Sequence, residues 1–130
     1  MADYFFDTSI LVAYFKEEDT RTVEIVESVL IGERSASISA ITVAEIFSAS
    51  DMADSLLRDK RIAALNLLNM TAVDRAIAER AGELRRQHNL ALPDALIAAC
   101  AEQSGGQFFS KDQHYNRLLK TGVLAGQVYE

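Results

Sequence analysis

A single three-layer α/β/α domain, with helices on both faces of a mainly parallel central sheet of about four to five strands, is the fold class this sequence predicts. Three observations predict it. Short apolar runs of strand-forming residues recur along the chain, most clearly Tyr4-Phe5-Phe6 and Gln107-Phe108-Phe109. Stretches of ten or more residues with helical character separate them, which implies βαβ units and a sheet buried on both faces. The length of 130 residues suits one core and is short for two.

Taken in order, Tyr4-Phe5-Phe6 is a buried strand bounded by Asp3 and Asp7. Ile10 to Lys16 is helical, and a second helix runs from Asp19, an N-cap, to Ile31 beside Gly32. Ser35 to Ser39 is a weaker strand. Ala40 to about Asn66 is helical and broken near Ser50-Asp51. Met70 to Val73 suits a strand, after which Asp74 caps a helix reaching about Asn89. Pro93, the only proline, sits at the first position of the next helix, which ends near Gly105-Gly106. Gln107-Phe108-Phe109 follows as a strand, Asp112 to Lys120 as a short helix, and Gln127 to Tyr129 as an edge strand.

Composition excludes several classes. No apolar run approaches the roughly 20 residues that cross a bilayer, and Met1-Ala2-Asp3-Tyr4 lacks the basic start of a secretory signal. The one cysteine, Cys100, forms no internal disulfide and reads as a small buried residue. These features place the chain in the cytoplasm, without a membrane partner. One cysteine and two histidines do not make a Cys/His zinc site. No glycine-rich phosphate loop and no Gly-x-Ser-x-Gly elbow is present. The net charge of −6 looks wrong for a nucleic-acid binder, but four carboxylates gathered in one pocket would account for most of it.

Four acids stand where acids are costly. In parallel sheets, ligands bind beyond the carboxyl ends of the strands. Asp7 directly follows the first strand, and Asp112 falls just after Gln107-Phe108-Phe109-Ser110. Glu45 interrupts the apolar helical segment Ile41-Thr42-Val43-Ala44-Glu45-Ile46-Phe47, and Asp94 opens a helix apolar nearly all round. No basic residue lies at i±3 or i±4 from Glu45 or Asp94, so burial of either calls for a hydrogen bond or a metal. Each acid also has a plain structural role open to it: Asp7 and Asp112 as N-caps, with Ser110 competing as a cap, Asp94 as a complement to a helix dipole, and Glu45 as a mid-helix glutamate facing water. Taken together, oxygen-only ligands suit hard cations such as Mg²⁺, and a pair of such ions can hydrolyse a phosphodiester without histidine or cysteine. If the four converge, removing one charge from Asp7 or Asp94 should relieve repulsion and raise the metal-free melting temperature.

The motifs Asp7-Thr8-Ser9, Thr42-Val43-Ala44-Glu45-Ile46, Leu92-Pro93-Asp94-Ala95-Leu96-Ile97-Ala98-Ala99 and Ser110-Lys111-Asp112-Gln113-His114-Tyr115 resemble, as an ordered set, those of the PIN-domain ribonucleases. More closely, they resemble the VapC-type toxins of prokaryotic toxin–antitoxin pairs. The resemblance covers residues 1–130 as one PIN-like nuclease domain. It implies that Asp7, Glu45, Asp94 and Asp112 are the catalytic, metal-binding acids, with Mg²⁺ or Mn²⁺ as cofactor. It also implies an RNA substrate, a homodimer and a cognate antitoxin that silences the acidic site. Thr8, Ser9 and Ser110 supply supporting hydroxyls, although Ser9 and Ser110 could equally serve as turn or cap residues. Ser110 stands where the family often has threonine, and Tyr115 where it has phenylalanine.

Two other readings stay open on sequence alone: a PIN nuclease of RNA maturation independent of any antitoxin, and a non-catalytic acidic-pocket module for signalling or binding. Among basic residues, Lys111 beside Asp112 is best placed to approach a phosphate. Arg58, Lys60, Arg61, Arg85 and Arg86 read first as solvated helix faces. His88 suits a helix end, and His114 lacks the partner that acid–base catalysis would need.

Overall fold

The computed structural model describes residues 1–130. Five strands form one parallel sheet in the order β3-β2-β1-β4-β5: β1 Tyr4–Phe6, β2 Ala36–Ser39, β3 Asn69–Thr71, β4 Gln107–Ser110 and β5 Gly126–Val128. Seven helices surround it: α1 Thr8–Phe15, α2 Thr20–Leu30, α3 Ala40–Phe47, α4 Ser55–Leu65, α5 Arg75–His88, α6 Leu92–Ser104 and α7 Asn116–Lys120. A 3₁₀ turn at Ser50–Ala53 separates α3 from α4. The order differs from the 2-1-3-4-5 arrangement of phospho-acceptor receiver folds. The three-layer parallel architecture read from the sequence is the one present.

Alternation along the strands divides the core of this one domain into two parts, one on each face of the sheet. Phe5 and Phe108 point to one face, where they meet Ile77, Ala81 and Leu84 of α5 and Ala95, Ile97 and Ala98 of α6. Phe6 and Phe109 point to the other, against Ile10 and Leu11 of α1 and Val26 and Val29 of α2. Because adjacent residues bury on opposite sides, both strands appear as unbroken apolar runs in the sequence.

Several helix starts are fixed by side chains. Asp7 accepts from Ser9 N at the head of α1, Asp19 from Thr22 N at α2, Ser39 from Ile41 N at α3 and Asp74 from Ile77 N at α5. Helix α5 ends at Asn89, whose φ of 53° is left-handed. Helix α6 begins one residue before Pro93, so the proline occupies the second position instead of the first. Gly126 opens β5 where the chain crosses so close to β4 that a Cβ would lie 1.8 Å from the Phe108 carbonyl oxygen. Only glycine allows that approach. No helix is long and apolar enough to cross a membrane.

Candidate active site

Strand β1 is central, with β2 on one side and β4 on the other, so the strand order reverses between β1 and β4. The carboxyl ends of these two strands therefore flank the crevice in which a parallel sheet holds its ligand. Asp7 leaves β1 there, its N–H donating to the Phe109 carbonyl at 2.9 Å. Ser110 ends β4 opposite it.

Asp7 is buried and fully satisfied. Its Oδ2 accepts from Ser9 Oγ at 2.6 Å, Ser110 Oγ at 2.9 Å and Ser9 N at 3.3 Å. Its Oδ1 accepts from the Tyr115 hydroxyl at 3.1 Å. The same hydroxyl lies 3.4 Å from Asp94 Oδ1, so Tyr115 sits between two carboxylates. Burial, with the charges of Asp7 and Asp94 beside it, pushes the Tyr115 phenol well above its ordinary range and keeps it a proton donor. Ser110 is shared in another way: its Oγ also accepts from the Asp112 N–H at 2.9 Å, while Ser9 Oγ accepts from the Lys111 N–H at 2.9 Å. The two serines thus lock the loop after β4 onto the start of α1. The cap roles foreseen for Asp7 and Asp112 are real, since Asp112 Oδ1 accepts from His114 N, and they coexist with the cluster.

Asp94 is half-buried in the first turn of α6 and makes no ion pair with a basic residue. Its carboxyl is held above the usual carboxylate range, first by loss of water and then by the charges of Asp112 and Asp7. Asp94, Asp112 and His114 each offer an atom within 4.8 Å of the others. Glu45 stands at the rim. Thr8 Oγ1 donates to its Oε1 at 2.8 Å and meets Thr42 Oγ1 at 2.9 Å. Its charge reaches Asp94 more weakly than those of Asp112 and Asp7.

Two sequence expectations are corrected. Glu45 is exposed, not buried: α3 buries Thr42 and Ile46, while the neighbouring Ala44 and Phe47 themselves face solvent. Lys111 is not free to meet a phosphate, because its ammonium pairs closely with Asp19 at the head of α2. That bond, with the Thr22 amide, holds the Asp19 carboxyl at about 2. Among the other basic residues, Arg61 is committed to Asp51 by two bonds of 2.6 and 2.9 Å. Sequence reasoning missed the Tyr115 hydroxyl and Thr42. A buried tyrosine needs a partner for its polar tip, which was the available signal for Tyr115.

Comparison with known proteins adds the family. The PIN domain model matches residues 4–120. No curated protein matches the chain. Among solved structures, the chain is similar to a toxin–antitoxin complex from Klebsiella pneumoniae, at 25% identity and a TM-score of 0.76, over 98% of both chains. It shares its fold with VapBC2 from Rickettsia felis bound to a DNA fragment from their promoter, at 18% identity and a TM-score of 0.76 over 98% of both chains. The same holds for DNA-bound VapBC from Salmonella typhimurium, at 19% identity and a TM-score of 0.73 over 98% of both chains. With its acids placed at the reversal point of a five-stranded parallel sheet, the chain belongs to the PIN-domain family and is VapC-like in fold.

Proposed function

We propose that residues 1–130 form one PIN-like nuclease domain that hydrolyses RNA with Mg²⁺ or Mn²⁺, and that it is the toxin of a toxin–antitoxin pair acting in the cytoplasm. The observation that carries this reading is the convergence of Asp7, Asp94 and Asp112 beyond β1 and β4, with Glu45 at the rim and no lysine or arginine paired to any of them. The donor set fits a hard divalent cation, since it is dominated by carboxylate oxygens and its central member, Asp94, is destabilised as an anion first by burial and then by the neighbouring carboxylates. A divalent ion held by these acids would supply Lewis acidity, lowering the pKa of a bound water and offsetting charge on the leaving oxygen.

The remaining work falls to the protein. Asp94, Asp112, Asp7 and Glu45 hold the charge that attracts the cation. Ser9, Ser110 and Tyr115 fix both oxygens of Asp7, and Thr8 steers Glu45. Orientation of this kind sets how well a metal is held. The purified protein should cleave single-stranded RNA in millimolar Mg²⁺ or Mn²⁺ and stop in excess EDTA. Undiminished cleavage in EDTA would sink the metal-dependent reading.

The antitoxin partner is supported by the Klebsiella similarity and by an apolar cleft of about 390 Å³ between α1, α2 and α4, lined among others by Phe15, Leu30, Leu57 and Leu67. A homodimer is also proposed. Val26 and Val29 of α2 and Leu65 of α4 are spent on the core around Phe6 and Phe109, as is Leu68 just beyond α4. Exposed Phe47, Leu56, Met70 and Leu92 supply the apolar surface that remains. Light scattering at tens of micromolar should give a dimeric mass, and a monomeric mass would refute assembly.

A further inference from the structure

We infer that His114 is a nitrogen ligand of the metal at this site, which tilts the site's preference from Mg²⁺ towards first-row transition ions such as Mn²⁺. The inference rests on the metal-dependent reading above and adds a residue to it. Three features support it. His114 Nδ1 lies 2.9 Å from Asp112 Oδ1. Two neighbouring ligands on an ion with bonds of about 2.1 Å stand about 3.0 Å apart, so this pair already has the spacing of one octahedral edge. Asp94 completes a group whose donor atoms all lie within 4.8 Å, whereas Asp7 and Glu45 fall outside it.

The second feature is access. His114 and Asp94 line one cleft of about 300 Å³ together with His88, Asn89 and Arg117, so the group opens onto solvent. The His114 side chain is 77% exposed, with the Asp112 carboxylate its one ionic partner. A surface pair of this kind contributes little to the fold, and nothing in the packing requires a histidine there. The third feature is chemical. Imidazole suits Zn²⁺, Ni²⁺ and Fe²⁺ best; Mn²⁺, at the weak end of that series, still accepts a nitrogen ligand more readily than Mg²⁺, which demands oxygen. One nitrogen among carboxylates therefore changes which ion is held without altering the charge that attracts it.

The test uses the intact protein loaded with Mn²⁺ and read by pulsed electron paramagnetic resonance, which detects nitrogen bonded to the ion. Wild type should show ¹⁴N coupling, His114→Gln should lose it, and His88→Gln should keep it. In parallel, calorimetric titration should show Mn²⁺ affinity falling about ten- to a hundredfold in His114→Gln, with Mg²⁺ affinity nearly unchanged. Bound Mn²⁺ without nitrogen coupling in wild type, or coupling that survives in His114→Gln, overturns the assignment while leaving the metal-dependent nuclease intact. Equal losses for Mn²⁺ and Mg²⁺ would also overturn it, since an orienting role through Asp112 predicts that pattern. Failure of wild type to bind either ion removes the reading beneath it.

Discussion

Asp94→Asn is expected to lose RNA cleavage by about a hundred- to a thousandfold, yet to melt at or above wild type when no metal is present. The two halves have one cause. Asp94 is half-buried, lies among the charges of Asp112 and Asp7, and has no basic partner, so its ionised form is unfavourable in the folded protein. Asparagine keeps the shape and removes the charge. The sign with pH follows from linkage. Because the folded carboxyl titrates above its unfolded value, the folded state binds more protons between those two values, and stability falls as pH rises through that window. Metal-free wild type should therefore gain stability on mild acidification, and Asp94→Asn should lose that part of the dependence. Millimolar Mg²⁺ or Mn²⁺ should reverse the order by stabilising wild type more than the variant. Thermal melts with and without metal, paired with a cleavage assay, read all of this. An Asp94→Asn protein that cleaves normally, or that melts well below wild type in EDTA, would contradict the assignment.

Asp7→Ala should behave in the opposite way, unfolding at a much lower denaturant concentration with a loss of roughly 2–4 kcal/mol. The sequence alone suggests that neutralising Asp7 relieves repulsion as it does at Asp94. Truncation to alanine does more than neutralise, because Asp7 is only 4% exposed and receives the Ser9 amide and hydroxyl, the Ser110 hydroxyl and the Tyr115 hydroxyl. Truncation removes the cap of α1, worth about 1 kcal/mol, and leaves buried hydroxyls without their acceptor at about 1–3 kcal/mol. Chemical unfolding monitored by circular dichroism measures the difference. Equal stability of Asp7→Ala and wild type would show that the hydrogen-bond cradle contributes nothing. The contrast between the two aspartates separates the acid that builds the site from the acid the fold merely tolerates.

Much of this was legible in the sequence for a physical reason. Strands buried on both faces lack alternation and stand out as compact apolar runs, so β1 and β4 were plain, and the acids at their ends followed from the sheet rule. Helix caps at Asp19 and Asp74 were equally clear, because short acceptor side chains before apolar periodicity have few other uses. What failed depended on neighbours distant in the chain. Glu45 looked buried because its sequence neighbours are apolar, yet only the packing of α3 decides which of them face inwards. Lys111 looked free because Asp19, its partner, is 92 positions away. Tyr115 was read for its ring, while its hydroxyl finds Asp7 across 108 positions. His114 was set aside for want of a second histidine, although its companions proved to be carboxylates.

The inserted position of β4 beside β1 has a consequence in time. Ser9, Ser110 and Asp7 form one hydrogen-bonded unit whose members lie about a hundred positions apart, and Asp112 and Tyr115 follow Ser110. A growing chain that has not yet extended past β4 can form β1, β2 and β3 and still lack Asp112, together with Tyr115. Pairing of such distant segments is also among the slower steps of folding. Under the proposed function, the site of the nascent polypeptide stays incomplete until β4 and the residues that follow it have been made. Its chemistry switches on only when that segment docks beside β1, which is the interval in which a partner protein could meet it.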